Sequence, residues 1–252
     1  RSAPVLPAPA ARRRFRGLLL KWYRAHGRDL PWRNTDDPYH ILVSEVMLQQ
    51  TQVDRVVPRY LSWLERWPTP AALASASPAE AIREWQGLGY NRRALSLHRA
   101  AVAIAERGWP DDLTELPGVG PYTAAAIRNQ AFGEAVLPVD TNVARIQERT
   151  GHAFRPESLQ ALFDLGATVC LARIPRCDEC PLAGECPSRG RRYQPLRKQS
   201  RFEGSFRQRR AVLLRLVAGE AQRLEGLDAE AVESLVTDGL LELDGDRVRL
   251  PA

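Results

Sequence analysis

The chain has 252 residues, 44% hydrophobic and 26% charged, with 36 lysines and arginines against 30 acids for a net charge of +6. That length can bury a sizeable core as one large or two modest domains, and apolar runs of only a few residues exclude a membrane span and leave a cytoplasmic protein as the expectation. The basic balance fits a polyanionic partner. Lys21 and Lys198 are the only lysines, so any chemistry that needs a lysine amine has two candidates.

Residues 1–12 form a Pro/Ala-rich lead-in, after which Phe15, Leu18, Leu19 and Trp22 recur at helical spacing over 13–25. Pro31 and Pro38 make 28–40 a loop. Two amphipathic stretches fill 39–67, with Ile41, Val46 and Met47 in the first and Val56, Tyr60, Trp63 and Leu64 in the second. Further helical patterns follow at 70–76, 78–86, 92–107, 122–132, 141–150 and 157–171. The first 190 residues therefore read as all-α. In 187–216, ten basic side chains face a single acid, Glu203. The acidic end predicts a helix over 229–240, then alternating runs around Asp244-Gly245, a hairpin signal. Helices plus a hairpin in so short a segment outline a small winged-helix-like α/β unit.

All four cysteines fall in one short segment, Cys170, Cys177, Cys180 and Cys186, spaced C-x6-C-x2-C-x5-C. A disulfide scaffold would spread its cysteines to close loops. Clustered thiols fit the ligands of one metal centre, and the spacing suits either zinc or an iron–sulfur cluster. The intervening LARIPR loop holds Arg173 and Arg176 between two ligands, where they could grip phosphate.

LPGVGPYTAAAI (116–127) places Gly118 and Gly120 around Val119, with a helix resuming at Pro121. Glycines allow the tight turn, proline suits the first helical position, and exposed amides can meet a phosphate. This is a helix–hairpin–helix signature for holding a nucleic-acid backbone independently of sequence. Glu45 is the one ionisable residue in the apolar LVSEVML, where a carboxyl tends to keep its proton, as a general acid must. Asp140 in LPVDTNVARI immediately precedes a helix, where aspartate is also a preferred N-cap.

LPWR (30–33), SEVMLQQTQV (44–53), GLGYNRRALSLH (87–98), the glycine hairpin, VDTNVARI (139–146) and the cysteine run stand together in this order. In that order they resemble the endonuclease III-like superfamily of DNA glycosylases over about residues 15–190, and within it the adenine DNA glycosylase (MutY) subgroup. The resemblance implies a helix–hairpin–helix glycosylase fold of two helical domains with a 4Fe–4S cluster loop. The expected divisions are an N-terminal segment 1–35, a helical barrel 36–138, a cluster domain 139–190, a basic linker 191–210 and the C-terminal unit 211–252.

The resemblance also implies an enzyme that flips a mispaired adenine, opposite 8-oxoguanine or guanine, out of the duplex and hydrolyses its N-glycosidic bond. Glu45 matches the acid that protonates the leaving base and Asp140 the carboxylate that stabilises the sugar cation. Asn142 matches the amide supporting Asp140, and Tyr122 a residue contacting the catalytic region. Gln49 and Tyr90 match residues that wedge the duplex, and Gln50 one beside the bound adenine. Arg33, Gly118, Val119, Gly120, Arg173 and Arg176 complete the expected DNA contacts. Relatives that cut the backbone carry a nucleophilic lysine where Tyr122 stands, which implies a monofunctional enzyme.

The implied partner is double-stranded DNA with a mismatched or oxidised base pair, bound by a monomer with no membrane association. Two departures bear on the base removed: Asp36 stands where relatives often carry a basic residue, and Leu42 where a tryptophan is common. The C-terminal unit also differs in pattern from the nucleotide-hydrolase-like domain that usually reads 8-oxoguanine. The alternatives are a thymine or uracil mismatch glycosylase on the same scaffold, or a non-catalytic DNA-binding module.

Overall fold

The computed structural model describes residues 9–194 and 201–252, with side chains from residue 13 onward; Arg197 and Lys198 lie outside that range. Short polar side chains and prolines set the helix starts. Asp37 caps α2 (Pro38–Leu48), Thr69 caps α4 (Pro70–Ala74), and a reciprocal Ser77–Glu80 box caps α5 (Pro78–Glu84). In each, proline takes a first-turn position where its missing N–H has no intrahelical partner to lose. The other helices are α1 (Pro9–His26), α3 (Val53–Arg66), α6 (Arg92–Arg107), α7 (Pro121–Gln130), α8 (Thr141–Thr150), α9 (Leu159–Thr168), α10 (Phe206–Gly219) and α11 (Ala229–Thr237). Among the described residues, no helix is long and apolar enough to cross a membrane.

The described residues form two compact units, one within 1–33 and 125–198, the other within 34–124 and 199–252. In the first, Phe15 and Leu19 of α1 share a core with Val143 and Ile146 of α8 and with Ala161, Leu162 and Leu165 of α9. Asp164 on α9 is fully buried and takes both oxygens' worth of donors from the turn after α1. Arg28 donates its amide and Nε at 2.8 Å each, and Arg33 its two Nη atoms at 2.7 and 2.9 Å. Burial alone would push the Asp164 carboxyl up, but the Arg33 and Arg28 donors outweigh it and hold it below the ordinary value.

In the second unit, Tyr39 donates to the Trp67 carbonyl at 3.1 Å and accepts from Trp63 Nε1 at 3.3 Å. Trp63 in turn packs edge-on against Trp67 and Trp85. Leu213, Leu214 and Val217 of α10 and Val232 and Leu235 of α11 share a core with Ala79, Ile82 and Leu95. The sheet that closes this core is antiparallel in the order β1-β3-β2, with β1 (Gln222–Arg223), β2 (Glu242–Asp244) and β3 (Arg247–Arg249). Gly245, at φ 61°, turns the expected hairpin.

Three of the differences from the sequence expectation have a local cause. β1 has only two residues, too few to show an alternating pattern. The helix expected over 229–240 stops at Thr237, because Gly239 takes φ 70° and ends it. α10 begins inside the 191–210 stretch expected as a basic linker, because Ser205 caps it by accepting from the Gln208 amide. Two arginines of that basic stretch are also engaged internally. Arg209 pairs with Asp228 and Glu230, and Arg210 with Ser234 and Asp238.

Candidate active site and nucleic-acid interface

Asp140 is the N-cap of α8 and is half-buried. One carboxylate oxygen accepts from the Val143 amide at 2.7 Å, the other from Asn142 Nδ2 at 2.8 Å. Asn142 is itself held, since Arg145 Nη2 donates to its Oδ1 at 2.6 Å. The same guanidinium donates to the carbonyls of Gly166 and Cys170 at 2.8 Å each. Gly166 has to lack a side chain here: a Cβ would lie 2.5 Å from that of Asn142. Polar contacts therefore run from the first cysteine through Arg145 and Asn142 to Asp140.

Glu45 lies on α2 at 6% exposure, flanked by the buried Ile41, Leu42, Val43, Val46 and Met47. The helix ends at Leu48 and the chain turns through Gln49 and Gln50, the latter at φ 57°. Tyr90, in the GLGYN loop, has φ 47° and is 45% exposed. These are the two non-glycine residues with positive φ among the described ones, and both coincide with expected DNA contacts. Such strain in an exposed residue marks a conformation that its surroundings impose.

In the hairpin, the Val119 amide donates to the Leu116 carbonyl at 3.0 Å and its side chain is 6% exposed. Val119 thus closes the turn from inside. Gly118 and Gly120 are exposed on either side of it. Gly118 takes φ 82°, and a Cβ there would lie 2.7 Å from that of Ser96. Only glycine lets the hairpin approach α6 so closely. Tyr122, half-buried, is the second residue of α7. Lys21 is exposed on α1.

Arg33 is turned inward. Its side chain is 8% exposed and committed to Asp164 and the Arg28 carbonyl, because a buried carboxylate requires charged donors. It braces the fold. Arg173 and Arg176 are exposed as expected, with Arg176 3.7 Å from Glu179.

The four cysteines line one cavity together with Ile146, Leu165 and Leu182. Burial pushes the Cys180 thiol up to about 11 and raises Cys186 as well, so a cationic centre would be needed to hold these sulfurs as thiolates. Arg149 Nη1 lies 3.4 Å from Cys170 Sγ, and the Gly190 amide 3.2 Å from Cys177 Sγ. Such N–H···S contacts suit sulfur that carries negative charge. Among the described residues, no three thiol, imidazole or carboxylate groups close on a single ion position.

The sequence reading missed the arginines that hold these groups, Arg93, Arg145 and Arg149. Two of them interrupt an apolar helical stripe: Arg93 stands in register with Leu97, Ala100, Ala101 and Ile104, and Arg149 with Val143 and Ile146. A charge on a core-facing stripe was the available signal.

Residues 43–163 match the helix–hairpin–helix superfamily of base excision DNA repair proteins. Among solved structures, a thermostable thymine-DNA glycosylase is 25% identical with TM-score 0.64, covering 71% of this chain and 96% of that one. A trapped endonuclease III–DNA intermediate, 21% identical over 73% of this chain and 97% of that one, has TM-score 0.63 and shares the fold. The adenine DNA glycosylase of Mycolicibacterium smegmatis is 39% identical over 90% of this chain and 92% of its own length. That of Mycobacterium tuberculosis is 40% identical over 90% and 93%. The human adenine DNA glycosylase is 41% identical over 70% of this chain and 40% of its own length. On identity that extends over nine-tenths of the chain and of the mycobacterial proteins, the chain belongs to the adenine DNA glycosylase family of helix–hairpin–helix base excision repair proteins.

Proposed function

We propose that the chain hydrolyses the N-glycosidic bond of a mispaired adenine flipped out of duplex DNA. The observation that carries this reading is identity of about 40% to adenine DNA glycosylases across nine-tenths of the chain, with both expected carboxylates present. Glu45 protonates adenine as the bond to the sugar C1′ lengthens. Asp140, its oxygens aimed by Asn142 and the Val143 amide, stabilises the developing sugar cation, and water completes the abasic site. Tyr122 cannot form a Schiff base, so the reaction stops there.

Gly118 and Gly120 hold a phosphate at the start of α7, and Arg173 and Arg176 hold another from the cysteine loop. Gln49 and Tyr90 open the duplex, while Gln50 lies beside the target. Cys170, Cys177, Cys180 and Cys186 hold a 4Fe–4S cluster, which supplies structure to the LARIPR loop. Four thiols around a cavity support a cluster over a single zinc, whose bonds would require sulfurs about 3.8 Å apart.

The test is a panel of duplexes carrying adenine opposite 8-oxoguanine, adenine opposite guanine, and thymine or uracil opposite guanine. Adenine should be lost, preferentially from the first two, with strands breaking only after alkali. Excision of thymine or uracil in place of adenine, or efficient nicking without alkali, overturns the reading. The purified protein should also absorb at about 400 nm; a colourless zinc form removes the cluster.

A further inference from the structure

Seven polar contacts converge on one buried side chain outside the expected catalytic set. Arg93, on the first turn of α6, is 9% exposed. Its Nη1 donates to the carbonyls of Val46, Met47 and Gln49 at 2.8, 3.0 and 2.6 Å. Its Nη2 donates to Thr51 Oγ1 at 3.0 Å and to the carbonyls of Leu88 and Gly89 at 3.4 and 2.9 Å. Nε reaches the Tyr90 carbonyl at 3.3 Å. Val46 and Met47 lie in the last turn of α2, where carbonyls lack helical partners. The guanidinium plane also lies 5.2 Å from the Trp85 ring and 5.6 Å from that of Tyr90.

One planar fork thus spans two loops that are distant in sequence, and each loop contains one of the two positive-φ side chains. Gln50 is bracketed by Gln49 and Thr51, both bonded to Arg93, and Tyr90 is bonded directly. Left-handed backbone at these residues persists only if neighbouring peptides are pinned. We propose that Arg93 is a positioning residue for duplex opening, setting Tyr90 in the conformation from which it enters the base stack and Gln50 in the one from which it lies beside the extruded base. Burial pushes its guanidinium down to about 10, which leaves it charged at neutral pH. Lysine would keep the charge but lose the fork, since one ammonium cannot face both loops.

This inference rests on the reading of Gln50 and Tyr90 as DNA contacts, and the experiment separates the two. The intact protein and Arg93→Lys are assayed on adenine in a stacked mispaired duplex and on adenine in an unpaired bubble, with 2-aminopurine fluorescence reporting unstacking. Arg93→Lys should lose about thirtyfold on the stacked duplex, less than about threefold on the bubble, and most of the fluorescence rise. Thr51→Val removes one of the contacts and should shift the same ratio by about threefold, which decides the matter if Arg93→Lys fails to fold. Equal losses on both substrates, or a stacked-duplex rate within about twofold of the parent, overturn the proposal. A parent that unstacks 2-aminopurine but excises no adenine defeats the substrate reading alone, and Arg93 is then judged on the fluorescence.

Discussion

Asp140 and Glu45 sit in different surroundings. Asp140 is oriented by donors on both oxygens, and those donors are tied in turn to Arg145, Gly166 and the first cysteine. Glu45 is 6% exposed, on a helix whose flanking residues are almost all apolar. The first arrangement fixes where two oxygens point; the second limits how water reaches one carboxyl. The supporting arginines differ accordingly. Arg145 acts through a side chain that touches Asp140, whereas Arg93 acts through backbone carbonyls at the end of α2 and in two loops. Changes near Asp140 should therefore alter the chemical step, and changes around Arg93 should alter access to it.

The largest expected effect tests whether Asp140 matters as a charge or merely as a cap. Asparagine is as good an N-cap as aspartate, so Asp140→Asn should leave thermal stability within about 0.5 kcal/mol. Duplex binding should persist, while single-turnover excision falls about a thousandfold. Glu45→Gln should cost about a hundredfold or more by removing the proton donor. If Asp140→Asn excises at near-parent rates, the carboxylate has no part in bond cleavage and the contrast between the two sites collapses.

The tight hairpin turn was legible in the sequence because its geometry demands glycine at Gly118. Helix starts were legible for the same reason, with Ser77-Pro78 and Asp140 announcing α5 and α8. The supports were not. Arg93 bonds mostly to carbonyls, which every residue possesses, so no partner residue betrays it. The bracing role of Arg33 was hidden because its partner, Asp164, lies 131 positions away and looks like any helical acid. β1 escaped because strand pairing with β3, and not its own two residues, makes it a strand.

Asp164 tests how far the polar support of Asp140 extends. It anchors α9, and Gly166 two residues on packs against Asn142. Asp164→Asn would leave the Arg33 guanidinium buried beside a neutral amide and should cost about 3 kcal/mol in denaturant unfolding. The pH dependence has a definite sign. Because the folded carboxyl lies below its ordinary 3.8, its contribution is complete above that value and is lost as pH falls through the folded one. The parent should therefore lose stability below about pH 4 more steeply than Asp164→Asn does. Hydrogen exchange should quicken in α9 and α8 before it does in α2. Uniform quickening would mean that the two carboxylate supports are a single cooperative structure.

Arg145→Met gives the smallest effect and the sharpest division. Methionine fills much of the volume but donates nothing, so Asn142 Oδ1 and the Gly166 and Cys170 carbonyls lose their guanidinium. Asp140 keeps the Val143 amide on one oxygen and loses the restraint on the donor to the other. Excision should fall about tenfold, well short of the loss in Asp140→Asn, with duplex affinity within about twofold. Because the defect lies in orientation after the base is extruded, the loss should be the same for stacked and bubbled adenine, the reverse of the pattern expected at Arg93. Arg145→Lys, which can reach one of the three acceptors, should recover part of the rate. A rate within about twofold of the parent would show that the helix cap alone orients Asp140, and that the path from the cysteine loop ends at Asn142.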